Sequence, residues 1–273
     1  MRQFKLINGV GQTFDLMRKD AFFNAPSGLG FERSVSSLLS GQAWIITQND
    51  PQQGAPAGEM VFAGYDQYTE FSQFISRKPI TFCYAPNGVW HQAPCIITSF
   101  EKSEIVQESK RLVCPIAFLK QSAWANVENV VAEPIGGGKV YPYSYPYRYG
   151  SPYGGKYVVK NPVDIPAGLK ITIFGPVVNP RWNVSNSNKA QSGRVVASIP
   201  EGNKLVMNSN DGFMELAEYT NAGEFVRDLY PESDFSTVRF VKAAYGLNLL
   251  SFSQDGGSKV KVDVEVTRYA ESV

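Results

Sequence analysis

Along most of this chain apolar and polar residues alternate with a period of two, the spacing of a half-buried strand. The run Lys259-Val-Lys-Val-Asp-Val-Glu-Val-Thr267 does so without a break, with valines on one face and charges on the other. Residues 4–9 and 12–16 are two short strands around the Asn8-Gly9 turn signal and predict an opening hairpin. Further strand-like runs are 31–35, 43–47, 59–62, 80–84, 89–97 and 111–118, then 157–160, 169–174, 204–208, 213–219, 238–241 and 248–253. Between the second and third of these, 49–58 is rich in Gln, Pro and Gly and reads as a loop. A single segment breaks the rule. In 67–76, Tyr68, Phe71 and Ile75 recur at helical spacing, Asp66 precedes them as a suitable N-cap and Pro79 follows, which predicts one helix.

The segment Tyr141-Pro-Tyr-Ser-Tyr-Pro-Tyr-Arg-Tyr149 follows Gly136-Gly-Gly138, the best candidate for a domain boundary. As a strand it lines Tyr141, Tyr143, Tyr145, Tyr147 and Tyr149 along one face, about 1,000 Å² of aromatic surface that calls for a cover. Pro142 and Pro146 lack the N–H of a central strand, so the ladder belongs at a sheet edge or between domains. The expected division is a β-rich domain with one helix over residues 1–139 and an antiparallel β-sandwich over 140–273.

Composition removes several classes of function. The 273 residues carry 26 basic and 25 acidic side chains, balanced on both sides of Val140, with none of the basic stripe of a nucleic-acid binder. No apolar run is long enough to span a bilayer, and residues 1–9 carry no apolar core of a secretory signal. Synthesis in the cytoplasm is therefore expected. Cys83, Cys95 and Cys114 are widely spaced in strand-like apolar runs and read as small buried hydrophobes. His91 is the single histidine, so any catalytic triad would have to use it, and it sits in an ordinary alternating stretch. A zinc site built on several histidines is excluded, and no cofactor is expected.

Three patterns imitate sites. Asn208-Ser-Asn-Asp-Gly212 lacks the distal glutamate of a calcium loop and reads as a polar turn. Asn183-Val-Ser185 matches a glycosylation sequon by composition only. Asn179-Pro-Arg-Trp182 resembles part of the sugar-binding motif of galectins, without the histidine that precedes it there. Asn179, Arg181 and Trp182 are thus the candidate sugar contacts of an alternative function, a carbohydrate-binding module for adhesion to a host surface. A glycoside hydrolase needs two acids close together, and the spacing of Glu101, Glu104, Glu108, Asp228 and Asp234 predicts no such pair.

The order of landmarks across the whole chain resembles the distal tail protein (Dit) family of bacteriophages with long non-contractile tails and of related prophages. The matching residues are Phe4-Lys-Leu-Ile-Asn8, Phe14-Asp-Leu16, Gly28-Leu-Gly-Phe31, Tyr68-Thr-Glu-Phe71, residues 112–118 with Trp124 after them, the tyrosine ladder, Gly175-Pro176, Asn179-Pro180, Asp234-Phe-Ser236 and Tyr245-Gly-Leu-Asn248. The resemblance implies a ring-forming N-terminal domain and a C-terminal galectin-like β-sandwich on the outside. It implies a hexameric hub at the tail tip or baseplate of a virion, without catalytic activity. Its partners would be other copies of itself, the tail tube protein, the tail-associated lysin or tip protein, and receptor-binding or baseplate proteins; DNA would pass only in transit. Within that frame the tyrosine ladder together with Phe4 and Phe14 of the opening hairpin, and the 49–58 loop, are the candidate interface elements.

Overall fold

The Asn8-Gly9 turn closes the first hairpin as its chemistry requires. The Asn8 carboxamide oxygen accepts the backbone N–H of Gln12 at 2.9 Å, which ties off β1 (Gln3–Ile7) against β2 (Thr13–Asp15) in the register Leu6↔Phe14. The computed structural model describes residues 2–106, 110–131, 157–255 and 261–273. These divide into unit 1, Met1–Asn126 with Ala270–Val273, and unit 2, Val127–Tyr269. The boundary expected at 139/140 and the tyrosine ladder lie outside the described residues.

After the hairpin, unit 1 continues with β3 (Ala21–Ser27), β4 (Arg33–Ser40), β5 (Ala43–Pro51), β6 (Ala57–Phe62) and the helix α1 (Tyr65–Ile75). It ends with β7 (Ile80–Ala85), β8 (His91–Phe100), β9 (Leu112–Lys120) and the start of β10 (Trp124–Val130). The antiparallel pairings run β2-β1-β7-β8-β9-β6-β3, and an isolated bridge Met17↔Phe22 brings β3 back to the end of β2. The ladder therefore returns on itself. Period-two alternation sends Phe4 and Leu6, Ile80 and Phe82, and Leu112, Cys114, Ile116 and Phe118 to its interior. The helix begins two residues earlier than its pattern suggested. Gly64 is its N-cap, and Asp66 sits inside the first turn, where its charge faces the exposed N–H groups.

Rings fill this interior in edge contact. Phe82 lies 5.0 Å from Phe118, 5.9 Å from Phe23 and Trp124 and 6.0 Å from Phe4, while α1 contributes Phe71 at 5.1 Å from Phe14. Such pairs add about 0.5–1.5 kcal/mol each beyond the area they bury. The three cysteines are buried and free, as their apolar surroundings indicated. Burial pushes the thiol of Cys83 up to about 11 and that of Cys95 up to about 12.

Unit 2 is an antiparallel sandwich. Its strands are β11 (Tyr157–Asn161), β12 (Gly168–Phe174), β13 (Val177–Val178), β14 (Arg181–Ser185), β15 (Ala190–Arg194), β16 (Ser198–Ile199), β17 (Asn203–Asn208), β18 (Glu215–Thr220), β19 (Phe225–Asp228), β20 (Gly246–Ser253) and β21 (Val262–Ala270). One sheet is ordered β19-β18-β17-β12-β21 and the other β11-β20-β14-β15. Leu169, Ile171, Ile173, Val262, Val264 and Val266 from the first meet Tyr157, Val159, Trp182, Val184, Leu250 and Phe252 from the second. The unbroken alternating run near the end of the sequence contributes to β21, and Val262, Val264 and Val266 do face inward while Asp263 stays exposed. The 238–241 run forms no strand. Val241 is buried, but its carbonyl accepts the Ser209 hydroxyl at 2.7 Å, so a side chain satisfies the backbone where a ladder was expected.

Two outcomes follow for unit 1. Phe82→Ala removes a ring with four aromatic neighbours and is expected to cost about 3–5 kcal/mol in urea unfolding. The raised thiol values favour folding fully below the ordinary thiol value of 9.0, and that contribution is lost as pH rises through about 11 and about 12. Above the ordinary value, stability should therefore fall by about 1.4 kcal/mol per pH unit for each thiol. Unfolding curves of the Cys83→Ala/Cys95→Ala double variant should lack this part of the alkaline slope; an unchanged slope would assign it to other groups.

Candidate functional site

Among the residues singled out from sequence, Phe4 and Phe14 lie inside the unit 1 core, 1% and 4% exposed. Neither ring has a free face with which to meet another subunit. Their apolarity is the inward half of a strand alternation, and the polar half faces out. Tyr141, Tyr143, Tyr145, Tyr147 and Tyr149 fall outside the described residues.

The candidate sugar contacts divide in two. Trp182 is 1% exposed and donates its indole N–H to the Arg239 carbonyl at 3.2 Å. It lies directly over Gly193, whose missing Cβ would sit 2.3 Å from the indole nitrogen. The ring is therefore core, with no face open for a sugar to stack on. Asn179 and Arg181 both donate to Asp255, at 2.8 and 2.9 Å, and Arg194 lies 3.6 Å from the same carboxylate. The Asn179 hydrogen bond, assisted by the two arginines, holds the Asp255 carboxyl below its ordinary range. These polar groups satisfy one another rather than converging on a pocket.

Three of the acids considered for hydrolysis are likewise committed locally, and Glu108 lies outside the described residues. Glu104 accepts the Tyr65 hydroxyl at 2.5 Å, and Asp228 accepts the Tyr230 N–H at 2.9 Å. Asp234 accepts both the hydroxyl and the N–H of Ser236, which hold its carboxyl low. His91 is kept toward its neutral form by burial. Among the described residues no group of three or more histidine, cysteine or acidic side chains could hold a metal ion.

The exposed chemistry lies on β4 and β5, which among the described residues pair only with each other. Their register sets Leu39 opposite Trp44, Leu38 opposite Ile45 and Ser37 opposite Ile46, with Gly41 at positive φ in the turn. Directly opposed residues share a face and adjacent residues point to opposite faces. Leu39, Trp44 and Ile46 thus occupy one side and Leu38 and Ile45 the other. All five are exposed, Trp44 by 68%, and Val35 adds to them nearer the root. The hairpin is apolar on both sides. Its sequence signal was the absence of alternation, in the adjacent pairs Leu38-Leu39 and Ile45-Ile46, which a search for amphipathic strands passes over. The expected 49–58 loop is shorter than its composition suggested. Asn49, Asp50 and Pro51 continue β5, because they pair with Val35, Ser34 and Arg33.

The root of this hairpin is tightly built. Leu29 accepts the Trp124 indole N–H at 3.1 Å, Gly54 accepts the Lys120 N–H at 2.9 Å, and Gln53 donates its side chain to the Lys120 carbonyl at 2.7 Å. Lys120 is 4% exposed, with its ammonium 4.5 Å over the Trp124 ring, and burial pulls its pKa down. A Cβ on Gly54 would lie 2.3 Å from the Lys120 Cε, so the lysine stem packs where only glycine leaves room. Unit 2 carries a smaller exposed apolar group. The Arg239 guanidinium lies 4.7 Å over Phe235 and 5.3 Å over Tyr230, and Phe235 is exposed.

Comparison with known proteins places this arrangement. No curated protein sequence matches the chain. Structures of the phage p2 baseplate in its activated conformation, with strontium and with calcium, contain a chain similar to this one along all of both chains. Identity is 16% in each, with TM-scores of 0.70 and 0.71. The Dit protein of phage SPP1, described as a paradigm of the hub adsorption apparatus in phages infecting Gram-positive hosts, is 10% identical. It matches over 97% of this chain and 98% of its own, with a TM-score of 0.60. At these identities the likeness is one of fold. Residues 3–121 match the family described as distal tail protein, N-terminal domain.

Proposed function

We propose that this protein is the hub of a phage tail tip or baseplate. Six copies form a ring that joins the tail tube to the tail-associated lysin or tip protein. Unit 2 is a galectin-like sandwich that anchors receptor-binding or baseplate proteins, and the central opening is the path of DNA. Its role is structural, and its place is the distal end of the virion after synthesis in the host cytoplasm.

The two-faced hairpin carries this reading. A hairpin apolar on one side can lie on its own domain, but one apolar on both sides needs two covers. A long apolar edge left bare is an aggregation hazard. Cyclic rings supply covers through heterologous contacts, in which each copy offers one patch and receives a different one. Each hairpin then reaches a neighbouring copy by one face and the adjoining layer of the tail by the other. The hairpin lies within residues 3–121, the segment that matches the distal tail protein N-terminal domain, which supports this reading. No comparable observation favours the sugar-binding alternative, since its aromatic platform is core.

Light scattering and electron microscopy of the purified protein should show particles of six copies with an open centre. Replacing Leu39 and Trp44 by serine alters only exposed side chains, so monomer stability should shift by less than about 1 kcal/mol while the ring is lost. A parent protein that stays monomeric at all concentrations, both alone and with tube protein, would count against the hub. So would a double variant that assembles like the parent.

A further inference from the structure

The hairpin must leave unit 1 in a fixed direction if it is to reach another surface, yet among the described residues its strands have no partner in any sheet but each other. Its two strands meet the rest of the unit at Arg33 and Pro51. At that point the Arg33 guanidinium donates to both carboxylate oxygens of Glu271, at 2.6 and 2.8 Å. It is braced from two further sides. The guanidinium lies 5.9 Å over the Phe31 ring and donates to the Asn49 side-chain oxygen at 3.4 Å, across the hairpin. Glu271 directly follows β21, and Val273, two residues on, packs against the unit 1 core.

We infer that Arg33 and Glu271 form a latch that sets the direction of the β4–β5 hairpin, making Glu271 a positioning residue for assembly. This deepens the hub reading and rests on it for its consequence, though not for its geometry. A forked guanidinium–carboxylate pair has two parallel hydrogen bonds and so fixes orientation as well as distance. Lysine at position 33 would supply charge without the fork. Both side chains are about one-third exposed, at 34% and 32%. The pair therefore adds little to global stability, and its effect is local to the hairpin root.

Hydrogen exchange of the full chain tests the latch. Glu271→Ala and Arg33→Ala should each speed exchange of the Ser34, Val35, Asn49 and Asp50 amides roughly two- to fivefold, with the core strands and the melting temperature unchanged. The charge-swapped double variant Arg33→Glu/Glu271→Arg should return those amides to within twofold of the parent. The concentration at which rings form should rise in the single variants and recover in the swap. Unchanged exchange in the single variants, or a swap that fails to recover, would overturn the inference. The Leu39→Ser/Trp44→Ser variant separates the two readings. If it assembles like the parent, or the parent never assembles, the hub reading fails while the exchange result still decides the latch.

Discussion

Closure of the unit 1 ladder governs what the rest of that unit can do. The bridge between Met17 and Phe22 brings β3 back to the end of β2, so the circuit of seven strands closes on itself at that point. The interior that results is enclosed and narrow. It is filled by Phe4, Phe23, Phe82, Phe118 and Trp124 in mutual edge contact, with Phe71 and Phe74 supplied by the single helix. In the proposed assembly, contact with other proteins is made by an appendage, the β4–β5 hairpin.

Unit 2 solves the same packing problem with aliphatic side chains between two open sheets, and with buried polar groups where the chain leaves the ladders. Asn161 and Asn248 are almost fully buried and donate to backbone carbonyls of the adjoining loops, Asn161 to Ile165 and Ala243 and Asn248 to Ala244 and Gly246. Glu218 is buried but paired with Arg227 at 2.7 Å and with Asn203 at 2.6 Å, which offsets the cost of taking a carboxylate out of water. These side chains stand in for missing strand partners. They allow a long irregular stretch between β19 and β20 to be ordered without extended pairing.

In the proposed assembly the apolar tip supplies the driving force, since covering it would remove a large area from water. The root of the hairpin carries two contacts, Lys120 packed against Gly54 and Arg33 forked onto Glu271.

By itself the sequence determined the strands, because inward and outward residues alternate wherever one sheet face is buried. β1, β7, β9, β12, β20 and β21 are all legible from that period alone, as is the helix through Tyr68, Phe71 and Ile75. It also determined that the three cysteines are core, from the apolar runs around them. Tertiary structure decided which apolar residues are interior. Phe4, Phe14 and Trp182 looked like contact residues and are buried, whereas Trp44, Ile45 and Ile46 looked like part of an ordinary strand and are exposed, as are Leu38 and Leu39 beyond the expected end of the 31–35 strand. Hydrophobicity reports that a side chain avoids water and does not say whether its own chain or another molecule provides the cover. Only the pairing that closes the unit 1 ladder without β4 and β5 makes that distinction, and only the long-range contact of Arg33 with Glu271, 238 positions away, reveals what holds the hairpin in place.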